Sequence, residues 1–529
     1  MFTFGANSCV LKAARLGWWC ALLLVAAGEL SQLHASDALT QRIEKFLASE
    51  RYRTAHVGLL FVDLQSGETV YAQQAEKLFA PASTTKLYTV AAALDALGAD
   101  YRFETKVYAQ GPIKSGVLDG QLILRASGDL TMGGRTTPQG EIEFTSGDHT
   151  YASGGAETVL TPADPLAGLN DLAKQVAASG IQKITGDVLI DDWLFDDAES
   201  SGSGPARVTP ILINDNAIDF TFAPGKAGEP AEVTWRPQCS TLQVELNVAT
   251  VAASEKLETA VSEIAPGRLR VTGKIPLGQK PVVRIYAVPE PRKFARQLFI
   301  EALQRAGVKL SATLEQGSDF QSRAKLPDYD QLQTVATLRS PPFAENARLI
   351  MKVSHNLHAS TLPLLVAAKH GKRTLGDGLK LERAFFEKAG LPADDISFGG
   401  GAGGARADYV TPAATVALLR YMATRSDFPA YERTLPIMGI DGTLSKTVAA
   451  SSIARGKVQA KTGTLMWTNG LDDTNLLTSK ALAGYITTAQ DRRLAFAMFI
   501  NGVPLRHGIT PASIGADLGK LCEIVIEER

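Results

Sequence analysis

The sequence predicts an α+β protein in which one antiparallel sheet, flanked by helices, is interrupted by a large β-rich insertion. Two groups of strand patterns predict the sheet, a hairpin near the N-terminus and three strands near the C-terminus. Short alternating runs with many glycines fill 101–330 between these groups and predict the insertion, which we expect to form two subdomains.

Composition places the chain among ordinary globular proteins. It has 529 residues, enough for several domains, of which 45% are hydrophobic and 21% charged. Lys and Arg total 54 against 55 for Asp and Glu, so no basic excess exists to neutralise a phosphate backbone. We therefore expect an enzyme or a binding protein that does not bind nucleic acid.

The N-terminus predicts export. Lys12 and Arg15 precede the apolar stretch Leu16 to Gly28, which is too short to span a bilayer and is typical of a signal-peptide core. Small residues stand at its end, 26–28, and after it, at 35–36, and we assign 1–35 to a signal peptide. The mature protein is then periplasmic or extracellular, without a membrane span. An uncleaved anchor is the alternative.

The segment 36–100 is predicted to form the first part of the helix-flanked domain. It contains an amphipathic helix, a hairpin with its turn at Ser66-Gly67, and a buried Ala-rich helix that begins after Pro81. The predicted bounds are Asp37 to Leu47 for the first helix, His56 to Gln65 and Glu68 to Gln73 for the strands, and Leu87 to Leu94 for the buried helix.

Within the insertion, three stretches have clear strand patterns: Val117 to Ala126, Ile184 to Ile190 and Gly267 to Ile275. A helix is predicted from Leu166 to Ser179, and a long loop from Arg135 to Pro162 because that stretch is rich in Gly, Ser and Thr.

The segment 331–529 is predicted to complete the helix-flanked domain. A helical pattern begins near the end of the insertion, at Phe294 to Ala306, and helical patterns dominate Pro341 to Ala389 of this segment. Strands follow at Val458 to Leu465, Ala481 to Ala489 and Arg493 to Asn501, and a last helix covers Pro511 to Glu528. After signal removal only Cys239 and Cys522 remain, and both a disulfide and two buried thiols fit their positions in the sequence.

Ser83 and Lys86 form the candidate nucleophile unit. Three positions span nearly one helical turn, so both side chains lie on one face, and a lysine whose pKa is lowered can act as the base for a serine. A second Ser-x-x-Lys, from Ser322 to Lys325, lies in a polar stretch with no apolar helix after it and is interpreted as a solvated loop.

Two further units contain groups suited to acyl transfer. Ser354-His355-Asn356 offers a hydroxyl that can relay a proton and an amide that can bind a peptide. Lys461-Thr462-Gly463, followed by Thr464, lies on a predicted strand, where Gly463 permits close approach of another chain. The charge of Lys461 would lower the pKa of Lys86 and attract a carboxylate.

In this order and in these local structures, the three units resemble the S-x-x-K, S-x-N and K-T-G motifs of the penicillin-recognising serine acyltransferases. Ser354 follows Lys86 by 268 positions, far more than a β-lactamase allows. An insertion there is typical of the class C low-molecular-mass penicillin-binding proteins, the D-alanyl-D-alanine carboxypeptidase/endopeptidase family. Further similar stretches are 127–131, 184–188, 214–216, 438–444 and 481–485.

The resemblance implies a β-lactamase/transpeptidase-like fold and an exported serine DD-peptidase of peptidoglycan. It implies that Ser83 is the nucleophile, Lys86 its base and Ser354 a proton relay, with no metal and no cofactor. Peptidoglycan stem peptides are the implied substrates and β-lactams the implied covalent inhibitors. The implied substrate-binding residues are Asn356, Lys461, Thr462, Gly463 and Thr464.

Several positions depart from the family pattern. His355 stands where relatives usually carry Asp, and Ser360 stands where they often carry an acidic residue. The stretch Gly400 to Gly403 lacks the Asp and the Ser that many relatives have there, and the stretch Met466 to Ser479 is longer than usual. His355 and His358 have the spacing of a metal-ligand pair, but the sequence indicates no third ligand, so no metal site is predicted.

Two other functions remain as alternatives. A secreted β-lactamase or esterase on the same fold is disfavoured by the insertion and by the lack of a recognisable deacylating Glu motif. A degenerate peptidoglycan-binding protein is disfavoured by three intact motifs, although the altered Gly400 to Gly403 stretch leaves it open.

Overall fold

The computed structural model describes residues 38–145, 147–153, 158–314, 320 and 325–528. The predicted signal peptide, 1–35, and Ser322 lie outside the described residues. Within those ranges, no helix has both the length and the apolarity that crossing a membrane requires.

The helices of the described chain are α1 (38–47), α2 (Thr85–Leu97), α3 (Ala167–Ala178), α4 (Pro291–Arg305), α5 (Phe343–Lys352), α6 (Asn356–Lys369), α7 (Leu375–Lys388), α8 (Pro412–Ala423), α9 (Phe428–Thr434) and α10 (Pro511–Ile526).

The strands are β1 (His56–Asp63), β2 (Thr69–Gln73), β3 (Glu104–Gln110), β4 (Ile113–Lys114), β5 (Val117–Leu118), β6 (Gln121–Arg125), β7 (Lys183–Ile184), β8 (Val188–Asp191), β9 (Ala198–Glu199), β10 (Arg207–Val208), β11 (Ala217–Ala223), β12 (Glu232–Arg236), β13 (Gln243–Val251), β14 (Glu258–Ala265), β15 (Arg268–Pro276), β16 (Val282–Ala287), β17 (Lys309–Leu310), β18 (Gln333–Arg339), β19 (Ile396–Ser397), β20 (Tyr409–Val410), β21 (Val458–Thr468), β22 (Asn475–Thr487), β23 (Arg493–Asn501) and β24 (Val503–Leu505).

The two ends of the chain share one 6-stranded sheet, in the order β2-β1-β23-β22-β21, with β24 paired to β22. Every neighbouring pair in it is antiparallel. The N-terminal hairpin and the three C-terminal strands therefore form one sheet, and the predicted fold class is confirmed.

Helices cover both faces of this sheet, which explains why β1 is buried along nearly its whole length. Because side chains alternate along a strand, Leu59 and Phe61 point to one face and pack with α1 and α10, whereas Leu60 and Val62 point to the other and pack with helices that include α2 and α6. The nucleophile candidate precedes α2, so this second core fixes its position.

The insertion has its own apolar core and several small sheets. Two of its predicted strands are each divided between two sheets: Val117 to Ala126 into β5 and β6, and Ile184 to Ile190 into β7 and β8. The breaks fall where Gly120 and Gly186 lie against neighbouring backbone carbonyls with no room for a side chain. One sheet is completed by β18, which follows residue 330, and the segment bounds at 100 and 330 stay a prediction.

The hairpin of β21 and β22 is longer than the sequence predicted. Most of Met466 to Ser479, expected between two strands, extends them instead, and its tip exposes Trp467 and Leu471. Cys239 and Cys522 are both free and buried, so the alternative of buried thiols applies.

Candidate active site

Ser83 lies in a short 3₁₀ helix, Ala82–Thr84, that leads directly into α2. Ala82 has a φ of 47°, a left-handed backbone value that residues other than glycine rarely adopt. This turn follows Pro81 and is stabilised by the Thr84 hydroxyl, which donates to the Pro81 carbonyl at 2.8 Å. The turn therefore places Ser83 at the N-terminal end of the buried helix α2.

Two glycines allow other segments to approach this turn. A Cβ on Gly463 of β21 would lie 2.5 Å from the Pro81 carbonyl oxygen, and one on Gly403 would lie 1.9 Å from the Ala82 oxygen. Gly403 also has a φ of 90°, which favours glycine. The K-T-G strand and the 399–405 loop therefore close around the serine, as the sequence predicted for Gly463.

The Lys86 amine is completely buried and has three polar neighbours. Its Nζ lies 3.0 Å from Ser83 Oγ, 2.8 Å from Asn356 Oδ1 and 2.7 Å from the Ala402 carbonyl oxygen. Burial, followed by the nearby charge of Lys461, lowers the pKa of Lys86 well below its ordinary value. The amine is therefore biased towards its neutral form.

The partners of a neutral Lys86 are then determined by hydrogen-bonding capacity. Asn356 donates from Nδ2 to the Ser203 carbonyl at 3.1 Å, so Oδ1 faces Lys86 and, like the Ala402 carbonyl, can only accept. These two acceptors use both N–H groups of a neutral amine. Its lone pair is left for the remaining neighbour, the Ser83 hydroxyl.

Ser354 lies in the connection between α5 and α6 rather than within a helix, and its φ of 60° is left-handed. Its hydroxyl accepts a hydrogen bond of 2.9 Å from Lys461 Nζ, which also donates to the Thr462 carbonyl at 2.8 Å. Burial, and then the charge of Lys480, lowers the pKa of Lys461 to about 7.

Thr462 and Thr464 line the cleft beside these groups. The Thr462 hydroxyl donates to Thr443 Oγ1 at 2.8 Å, and Thr464 Oγ1 accepts a bond of the same length from Lys480 Nζ. All the site residues named from the sequence, Ser83, Lys86, Ser354, Asn356, Lys461, Thr462, Gly463 and Thr464, thus lie in or beside one cleft.

The insertion reaches this cleft through residues 149–153 and 200–204. Tyr151, Gly202 and Ser203 line it. Both donors of Asn356 Nδ2 are directed at Ser203, to its carbonyl and its hydroxyl, each at 3.1 Å. The backbone N–H of Asn356 donates to Thr150 Oγ1 at 3.1 Å. The insertion therefore sets the orientation of Asn356.

The 399–405 loop is held by Asp408, whose carboxylate accepts from the N–H groups of Gly399 and Ala405, each at 2.8 Å. Burial raises the pKa of Asp408 to about 6. The loop supplies Lys86 with a backbone carbonyl, that of Ala402, so the contact does not need the side chains that this stretch lacks relative to the family pattern.

A buried network of charged groups lies behind the Ser354–Asn356 turn, centred on Asp215. His149 Nδ1, Arg135 Nη2 and His355 Nε2 lie 2.6, 2.9 and 3.1 Å from Asp215 Oδ2. His358 Nε2 lies 2.7 Å from Asp215 Oδ1. Burial opposes ionisation of Asp215, but the charges of His355 and Arg135 hold its pKa well below the ordinary value.

The network continues to Asp148 and Asp219 of the insertion. Asp148 receives two bonds of 2.8 Å from Arg135 and lies 3.2 Å from His355, while Asp219 lies 2.7 Å from His149. Burial lowers the pKa of His358 to about 4, whereas Asp219 and Asp215 overcome burial and raise that of His149 to about 10. Cations and carboxylates are therefore paired.

The sequence indicated no third metal ligand beside His355 and His358, but the structure places Asp215 there. Potential ligand atoms of the three side chains lie within 4.8 Å of one another. These are donor types of a metal site. Arg135, however, places its own positive charge on Asp215, and each imidazole already lies at hydrogen-bond distance from a carboxylate. The arrangement is that of an ion-pair network, and the absence of a metal from the function stays a prediction.

Sequence reasoning missed the residues that support the motifs: Asp215, Ser203, Asp408 and Lys480. Asp215 stands within 214–216, which resembled the family without an assigned role. Lys480 is paired with Thr464 in the strand register, which depends on where the β21–β22 turn falls. The contacts of Asp215 and Ser203 cross more than a hundred residues, so no local pattern predicts them.

An antiparallel sheet between helices, with a serine and a lysine at the start of a buried helix and a second lysine on the adjacent edge strand, defines a penicillin-recognising serine acyltransferase. The profile of the D-Ala-D-Ala carboxypeptidase 3 (S13) family matches residues 39–513, so the chain belongs to that family. It is a serine-type D-Ala-D-Ala carboxypeptidase by this membership, and the predicted family is confirmed.

Two relatives and one solved structure agree with this assignment. The chain is 26% identical over 491 residues to the D-alanyl-D-alanine carboxypeptidase of Actinomadura sp. (strain R39), covering 88% of this chain and 81% of that one. It is 26% identical over 471 residues to the D-alanyl-D-alanine carboxypeptidase DacB of Haemophilus influenzae, covering 85% and 86%. The crystal structure of penicillin binding protein 4 (dacB) from Haemophilus influenzae shares the fold, with a TM-score of 0.70, 23% identity, and coverage of 92% and 99%.

Replacing Asp215 by Asn is expected to destabilise the protein strongly. The substitution removes the carboxylate that Arg135 and three histidines share and leaves Asp148 and Asp219 as the remaining buried counter-charges. Breaking a buried ion pair costs roughly 3 kcal/mol or more. Denaturation by urea, followed by circular dichroism, measures the loss. The matched control is Asp197→Asn, which removes an exposed pair with Arg207 and should cost less than about 1 kcal/mol. Equal losses in the two variants would show that the network does not stabilise the fold.

Proposed function

We propose that this carboxypeptidase acts through an acyl-enzyme on Ser83, with Lys86 as the base. The observation that carries the proposal is the hydrogen bonding of Lys86: two acceptors take the N–H groups of its neutral amine, and the third neighbour is the Ser83 hydroxyl. A neutral amine 3.0 Å from a serine hydroxyl can take its proton as the oxygen attacks.

In the acylation step, Ser83 Oγ forms a bond to the carbonyl carbon of the penultimate D-alanine and its proton moves to Lys86 Nζ. The bond from that carbon to the nitrogen of the terminal D-alanine then breaks. Ser354, whose hydroxyl accepts from Lys461, lies in the same cleft and relays a proton from Lys86 to the leaving nitrogen.

Deacylation repeats the step with water. Water gives a proton to Lys86 and its oxygen attacks the ester carbon, and Ser83 Oγ leaves and regains its proton. By resemblance to the family, the backbone N–H groups of Ser83 and Thr464 bind the oxyanion that forms in both halves of the reaction. The close approach of β21 to the serine turn at Gly463 supports that placement.

Substrate binding is assigned to the K-T-G strand and to Asn356. Lys461, Thr462 and Thr464 bind the terminal carboxylate of a peptidoglycan stem peptide. Asn356 orients Lys86, and because Ser203 takes both donors of Nδ2, an acyl carbonyl that binds Asn356 has to displace Ser203. Cross-linked peptides, cleaved by an endopeptidase activity, are the second proposed substrate class.

The same site is proposed to react with β-lactams, and the crystal structure of the Haemophilus influenzae protein has been determined as a complex with a β-lactam. Export to the periplasm or the exterior, directed by 1–35, places the enzyme with its substrate. The lysine contacts argue against a degenerate binding protein, because such a protein would not need a buried neutral amine beside Ser83.

Ser83→Ala is expected to abolish both covalent labelling by benzylpenicillin and release of D-alanine, because it removes the nucleophile. Intact mass spectrometry after brief exposure measures labelling, and an enzymatic assay measures D-alanine. Wild type should gain the mass of one penicillin. The control, Ser66→Ala in an exposed turn, should behave as wild type. A penicillin adduct on the Ser83→Ala protein, or rapid loss of the antibiotic without a lasting adduct on wild type, contradicts the assignment.

The pH dependence of kcat/KM for a D-Ala-D-Ala peptide is expected to be bell-shaped. The rate rises as pH rises through the lowered pKa of Lys86, because only the neutral amine accepts the proton. It falls as pH rises past the pKa of Lys461, about 7, because the carboxylate-binding charge of this lysine is lost.

Initial rates between about pH 5 and pH 10 measure this profile. Circular dichroism at each pH serves as the control for folding. A rate that continues to rise to the alkaline end would mean that loss of the Lys461 charge does not limit substrate binding.

A further inference from the structure

The cleft contains positive charge that the protein does not balance. Besides the neutral amine of Lys86, two lysines approach it, Lys461 and Lys480, and among the described residues neither has a carboxylate within the 4.0 Å of an ion pair. The network around Asp215, by contrast, pairs its cations with carboxylates. The charges of Lys461 and Lys480 therefore suit an anionic ligand.

Lys480 is the one of these lysines that sequence motifs did not indicate. It lies on β22 directly opposite Thr464 of β21, so both side chains point to the same face of the sheet. Its Nζ donates to Thr464 Oγ1 at 2.8 Å. Since the threonine oxygen accepts this bond, its own hydroxyl hydrogen stays available to a second acceptor.

The fold leaves space for Lys480 in this position. Gly515 of α10 faces it, and a Cβ there would lie 3.1 Å from Lys480 Cε and 3.4 Å from Nζ. Gly515, Pro511 and Ala512 of α10 line the same cleft as Ser83. The ammonium group therefore lies where the cleft continues beyond the K-T-G strand.

The electrostatics of the cleft also favour an anion. Burial lowers the pKa of Lys480 to about 8, and the Lys480 charge is the main influence after burial on the lowered pKa of Lys461. A carboxylate bound between them would reverse both effects, because an opposite charge favours the charged form of an amine. Binding it would offset the repulsion between the two lysines.

We propose that Lys480, together with Thr464, binds the C-terminal carboxylate of the substrate and acts as a second cation beside Lys461. The inference rests on the proposed function of the cleft and adds to it a specificity residue. It implies that the enzyme selects peptides with a free terminal carboxylate over otherwise identical neutral peptides, and that this selection depends on Lys480.

The test compares Lys480→Gln with wild type on an N-acetylated peptide ending in D-Ala-D-Ala and on its C-terminal amide. For the carboxylate, kcat/KM is expected to fall about 10- to 100-fold, mainly through KM, as expected for a lost hydrogen bond to a charged group. For the amide, kcat/KM should not change. Lys480→Arg should recover most of the loss, and the control Lys457→Gln, at an exposed position just before β21, should show none.

An unchanged KM for the carboxylate peptide, or an equal fall for peptide and amide, overturns the inference, because the first shows no contact and the second only a structural effect. Failure of the proposed function gives a different result, in which wild type releases no D-alanine and forms no penicillin adduct. Wild-type turnover with an unaffected Lys480→Gln variant thus overturns the role of Lys480 alone.

Discussion

The burial of the Lys86 amine is the constraint on which the rest of the site depends. A charged ammonium is costly in such surroundings, and burial together with the charge of Lys461 outweighs the opposing charge of Asp408, so the pKa of Lys86 is lowered and the neutral form is favoured. A neutral amine has two donors and one lone pair, and its three neighbours come from separate parts of the fold: the serine turn, α6 and the 399–405 loop. The core that packs α2 against α6 and the sheet brings these parts together.

In the described part of the chain, the Ser354–Asn356 turn lies between a cleft with unpaired positive charge and a buried network in which charges are paired. Ser354 contacts Lys461, whose positive charge has no carboxylate within ion-pair distance among the described residues, and Asn356 contacts the neutral amine of Lys86. His355, between them, points to the other side and joins the balanced network around Asp215. Because Asp215 and Asp148 belong to the insertion, the insertion helps to fix the turn whose two outer residues line the cleft. This gives the insertion a structural role at the active site.

Much of the fold could be predicted because its elements have local patterns. The hairpin around Ser66, the buried helix after Ser83 and the three C-terminal strands all have the expected type. The lengths of β21 and β22 could not be predicted. The polar stretch after Met466 has the composition of a loop, but its two ends form backbone pairs that extend the two strands. The division of two insertion strands depends on backbone approaches at Gly120 and Gly186, which the sequence does not reveal.

The three sequence motifs are similarly local, whereas the contacts that hold them in position are not. Ser83 and Lys86 are three residues apart, and helix geometry alone brings them together. Asp215 reaches His355 across 140 positions and Ser203 reaches Asn356 across 153, so only the folded insertion shows these contacts. Replacement of the usual acidic residue by His355 becomes understandable once its carboxylate partners are known.

The most direct test of the account is the ionisation state of Lys86 in the free protein. Carbon-13 NMR of protein labelled at lysine Cε, with the Lys86 signal assigned from a Lys86→Arg variant, follows this amine as pH changes. The account predicts titration well below the ordinary lysine value of 10.5, leaving a neutral amine available near neutral pH. Titration of Lys86 at that ordinary value would contradict it, because a permanently charged ammonium cannot take the proton of Ser83.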